Sequence, residues 1–80
     1  MKSMKIQKEY IRAGSPDTSA SELSRLAKST DVAVRRRVAE NERTPRKTQE
    51  ILAQDSEPEV RIAVGLNLFT AESIVSQLVE

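Results

Sequence analysis

A 26-residue self-similarity runs through this chain and constrains it more than any other feature. Thr18, Thr44 and Thr70 lie 26 residues apart, and the same offset superposes Leu26, Leu52 and Leu78, followed in register by Ala27, Ala53 and Val79. Carried onward, it pairs Val34 and Arg35 with Val60 and Arg61, Val38 with Val64, and Asn41 with Asn67. A unit this short cannot bury its apolar face alone, so neighbouring units have to stack and share one core.

The spacing inside a unit is helical. Thr18 is placed to cap a helix whose Leu23, Leu26 and Ala27 form an i, i+3, i+4 stripe, with a stop near Ser29, Thr30 and Asp31. Val34 and Val38, one turn apart, define the buried side of a second helix. Asn41 is expected to end that helix in the left-handed conformation, and Pro45 to enter the first turn of the next. The pattern returns through Ile51, Leu52, Ser56, Glu57, Pro58, Val60 and Val64. A last half-unit carries Ile74, Val75, Leu78 and Val79 on one face. The chain therefore reads as a single all-α domain with units at 18–43 and 44–69 and a half-unit at 70–80. Residues 1–17 fall outside the clear self-similarity. They read as an amphipathic helix over about 3–13 that buries Ile6, Tyr10 and Ile11, stops at Gly14, Ser15, Pro16 and Asp17, and caps the first unit.

The run from Val34 through Arg35, Arg36, Arg37, Val38 and Asn41 to Thr44 and Pro45, then Ile51, Leu52, Ala53 and Asp55, then Val60, Arg61, Val64 and Asn67, resembles the leucine-rich repeat variant family. That family is a relative of HEAT-like helical repeats, and the resemblance covers roughly residues 18–80. It implies a short right-handed α-solenoid of helical hairpins with an N-terminal capping helix, and no particular activity. It further suggests that Arg35 and Arg61, each four residues after an acidic residue (Asp31 and Glu57), form structural ion pairs. The chain departs from the family pattern where Glu42 and Leu68 replace the proline that usually follows the asparagine. Gln49 stands where a leucine is expected, with Ile51 as its substitute.

Composition narrows the chemistry. There is no cysteine and no histidine, which removes thiolate and imidazole as metal ligands, nucleophiles and bases. Gly14 and Gly65 stand alone, so no glycine-rich loop can cradle a phosphate. No catalytic residue, cofactor or metal is expected. The N-terminal residues carry charge with no apolar run behind them, and no segment is long and apolar enough for a bilayer, so a cytoplasmic protein without membrane association is expected. A net charge of +1 decides nothing about nucleic acid; only local clustering bears on it.

Two surfaces stand out. Arg36, Arg37, Arg43, Arg46 and Lys47 have no like-charged equivalents 26 residues on, where Ile62, Ala63, Phe69, Glu72 and Ser73 occur. They form either a basic patch for phosphate or an acidic partner, or a solvated face neutralised by Glu40, Glu42 and Glu50. A second stripe, Lys2, Lys5, Lys8 and Arg12, reads as the polar side of the N-terminal helix. Ile62, Leu66 and Phe69 lie i, i+4, i+7 on the side of their helix opposite Val60 and Val64. They are either covered by the C-terminal helix or form a surface for a protein partner or a second copy as a homodimer. The expectation is a non-catalytic adaptor for protein–protein interaction. The alternative is a sequence-nonspecific binder of DNA or RNA backbone.

Overall fold

The computed structural model describes residues 3–67. They form five helices, with no strand among them: α1 Met4–Gly14, α2 Ala20–Leu26, α3 Val32–Glu40, α4 Arg46–Leu52 and α5 Pro58–Leu66. The expected half-unit at 70–80, together with Leu68 and Phe69, lies outside the described residues.

Each helix starts where its sequence can satisfy or dispense with the first free N–H groups. The Ser3 hydroxyl accepts from the Ile6 N–H, Ser19 from Glu22 and Asp31 from Val34, each at 3.2 Å. Pro45 precedes α4 with no side-chain cap, and Pro58 occupies the start of α5, where a missing N–H costs nothing. Thr18 is not the cap of α2, as expected from sequence; Ser19 is. Thr18 is buried, and its hydroxyl donates to the Arg12 carbonyl in the last turn of α1. Asn41 is not left-handed either. Its φ of −75° and ψ of 122° are extended, which frees its side chain to reach across to another helix.

α3 is the central element, packed between α1 and α5; α2 touches α1 and α3, while α4 touches α3 and α5. Leu23, Leu26, Val34, Val38, Leu52, Val60 and Val64 are fully buried between them. Ala13, Ala27, Ala39, Ala53 and Ala63 complete the cluster, their small side chains letting helices approach closely. Each buried Leu or Val contributes about 1.5–3 kcal/mol over an exposed one, so these positions supply most of the drive to fold.

Gln49, three residues before Leu52, lies on the buried stripe, and its Nε2 donates to the Ala39 carbonyl at 3.0 Å. Ile51 does not replace the missing leucine: adjacent to Leu52, it is turned about 100° away and is 59% exposed. The Ala39 carbonyl, at the end of α3, also accepts from Asn67 at 2.7 Å, so it satisfies the amide nitrogen of Gln49 while the buried Oε1 has no partner among the described residues.

The interhelical hydrogen bonds recur at the offset seen in the sequence. Thr18 bonds the Arg12 carbonyl as Thr44 bonds that of Val38. Asn41 Nδ2 donates to the Ala13 and Ser15 carbonyls at 2.9 and 3.0 Å; Asn67 Nδ2 donates to those of Ala39 and Asn41 at 2.7 and 3.3 Å. α1 thus receives from α3 the contacts that α3 receives from α5, although its sequence stood outside the clear self-similarity. Its packing face also differs from expectation. Ala13 is buried and Ile6 partly so, whereas Ile11 is 68% exposed, lining the open groove that α1 forms with Asp31 and Ala33 at the start of α3.

Candidate functional site

Arg35 belongs to the scaffold. Its guanidinium grips Asp55 with two bonds, Nε to Oδ2 at 2.8 Å and Nη2 to Oδ1 at 3.3 Å, and Nη1 donates to the Ser29 carbonyl at 2.8 Å. Arg61 repeats the last contact on the Asp55 carbonyl at 2.7 Å. The strong partner of Arg35 is thus 20 residues on, and Asp31, four residues before it, serves as the α3 cap. Burial alone would raise the pKa of Asp55. The hydrogen bonds from Arg35 and the Glu57 N–H, with the charges of Arg35 and Arg61, outweigh it and hold the carboxyl below its ordinary range.

The proposed basic residues are spread over three elements, and most are answered by carboxylates. On α3, Arg36 Nη1 meets Glu59 at 3.0 Å and its Nε lies 3.7 Å from Glu40. Arg37 meets Glu40 at 3.2 Å and lies over the Tyr10 ring, 5.5 Å from its centre. Burial disfavours the Arg36 charge, but hydrogen bonds to Glu59 and Tyr10 and the nearby carboxylates more than compensate, so its pKa is raised. In the first turn of α4, Arg46 pairs with Glu50 at 3.4 Å. Arg43, in the loop after α3, and Lys47 on α4 are exposed. On α1, Lys5 and Lys8 are exposed, Arg12 bonds Glu22 at 3.0 Å, and Lys2 lies outside the described residues.

The α5 face is different in kind. Val60, Ala63 and Val64 turn inward, while Ile62 and Leu66, one turn apart, are 60% and 74% exposed. Their equivalents on α3 are the charged residues Arg36 and Glu40. The two exposed apolar side chains, one turn apart, make one continuous patch rather than scattered singletons. Phe69, the third member of the expected stripe, lies outside the described residues. The sequence reading missed the exposure of two apolar residues on α1, Met4 at 69% and Ile11 at 68%; periodicity had assigned Ile11 to the core. Its only signal was that the adjacent residues Tyr10 and Ile11 cannot both centre on one helix face.

Among the described residues, no group of carboxylates is placed to hold a metal ion, and no helix is long and apolar enough to cross a membrane. No protein-family model, curated protein or solved structure matches the chain.

Proposed function

We propose that this chain is a short helical-repeat protein, a right-handed α-solenoid of the leucine-rich repeat variant or HEAT-like kind, that acts as a non-catalytic adaptor binding another protein. The observation that carries this is the pair Ile62 and Leu66, exposed one turn apart where the preceding unit has Arg36 and Glu40. The stacking itself tolerates polar residues there, so apolar ones ask for a local cause, and desolvation against a partner supplies it. The recurring Thr18 and Thr44 bonds, and those of Asn41 and Asn67, support the repeat assignment. Phe69 would extend the same surface by its spacing in sequence.

Binding of nucleic acid through Arg36, Arg37, Arg43, Arg46 and Lys47 is the weaker alternative, because Glu40, Glu50 and Glu59 already occupy three of the five cations. Phosphate binding gains its free energy by releasing counterions, and a cation that is already paired contributes less. The test is affinity capture from native lysate by the wild type and by the double variant Ile62→Glu, Leu66→Glu. A protein retained by the wild type through nuclease treatment and high salt, but lost by the variant, is the expected result. Capture that vanishes with nuclease and ignores the variant would refute the adaptor and favour the basic residues.

A further inference from the structure

Between α1 and the loop that follows α2, Lys5, Glu9, Arg25, Lys28, Ser29 and Thr30 line an open cavity of about 300 Å³. Glu9 is the inward member, mostly buried and accepting from the Ser29 hydroxyl at 3.0 Å. Arg25 is exposed, 4.0 Å from Glu9 and 3.6 Å from Glu22, and Glu22 is already held by Arg12 at 3.0 Å. Lys5 and Lys28 are exposed and form no ion pair among the described residues. Asp31, next along the loop, turns its carboxylate to the Val34 N–H of α3. Three cations less one carboxylate leave the lining with a formal charge of +2 at neutral pH.

Stacking does not call for this charge. The bond between Glu9 and Ser29 recurs 26 residues on as the pair of Arg35 and Asp55, so the second junction is built the same way. There Lys5, Arg25 and Lys28 give way to Asp31, Ile51 and Gln54, and the helices pack without those cations. An open basic cavity whose charge the fold does not use is placed to take an anion. We propose that it binds a phosphate monoester dianion, either free phosphate or the phosphoryl group of a phosphorylated side chain. Two negative charges match the lining, whereas a carboxylate or a phosphodiester, with one each, leaves a positive charge unanswered. Its terminal oxygens can accept from the Lys5 and Lys28 ammonium groups, the Arg25 guanidinium and the Thr30 hydroxyl, and hydrogen bonds between ionised partners are the strong ones. The cavity shares no residue with the α5 face and does not rest on the adaptor reading.

The test titrates the whole chain, isotope-labelled for NMR, with inorganic phosphate at about pH 8, where phosphate is doubly charged, and with chloride at matched ionic strength as the control. Saturable shifts at the amides of Lys28, Ser29 and Thr30, absent with chloride, are expected. Lys5→Gln and Lys28→Gln should each weaken binding about two- to fivefold, the range of an exposed ionic contact. Glu9→Gln keeps an oxygen for the Ser29 hydroxyl but removes the opposing charge. It should therefore tighten binding by a similar factor, which damage to the fold could not do. A neutral peptide bearing one phosphoserine separates the two sources: binding no tighter than phosphate assigns the free anion, and tighter binding assigns a phosphorylated side chain. A response that never saturates, or a Glu9→Gln chain that binds no tighter than wild type, would overturn the inference. So would a dinucleotide, with its single phosphodiester charge, that competes as well as phosphate, because two charges would then not be what the cavity selects.

Discussion

Replacing Asn41 with alanine removes three hydrogen bonds at once. Nδ2 donates to the Ala13 and Ser15 carbonyls at the end of α1, and Oδ1 accepts from the Arg43 N–H at 2.9 Å in the turn after α3. A typical bond of this kind is worth about 0.5–1.5 kcal/mol net, and a buried carbonyl left without its donor adds to the loss. Since the Asn41 bond to Ala13 is buried, the substitution should cost about 2–4 kcal/mol. A domain of this size has only about 0.05–0.15 kcal/mol of stability per residue, so the effect should be large in urea melts followed by circular dichroism. Asn41→Asp separates the contributions. The carboxylate can still accept from Arg43 but would face two carbonyls with no donor, so it should cost at least as much as alanine. A loss below about 0.5 kcal/mol for Asn41→Ala, or an aspartate better tolerated than alanine, would refute the reasoning.

Two further outcomes follow from the core. Leu52→Ala should destabilise by about 2–5 kcal/mol in the same melts, since it leaves a cavity among buried neighbours; a loss well under 1 kcal/mol would contradict its burial. Asp55, with its folded pKa depressed, contributes stability that is fully present above the ordinary aspartate pKa and is lost as pH falls through the lower folded value. Urea midpoints of wild type should therefore drop through the acid range more than those of Asp55→Asn, which starts lower at neutral pH and lacks that titration; parallel acid profiles would show that the Arg35 contact does not hold the carboxyl.

Periodicity alone was sufficient to locate the inward positions Leu23, Leu26, Val34, Val38, Leu52, Val60 and Val64, because the side of a helix on which a residue lies is a local property of its spacing. It also singled out Ile62 and Leu66 as apolar on the side of α5 opposite Val60 and Val64, but it read Arg36 as pointing straight outward, whereas its half-buried guanidinium lies between Tyr10 of α1 and Glu59 of α5. What spacing cannot carry is the identity of partners brought together by packing. Arg35 found Asp55 20 residues away, and Thr18 and Asn41 turned from local caps into ties between helices. Gln49, on the buried stripe, met a carbonyl of α3. α1 shows the same division. It has Lys8 and Arg12 where α3 and α5 have valines, yet backbone carbonyls, which every residue supplies, let it accept the same hydrogen bonds. A side chain's direction is set by the helix it sits on, but its partner is set by which other surface arrives there, and that is decided only when the helices pack.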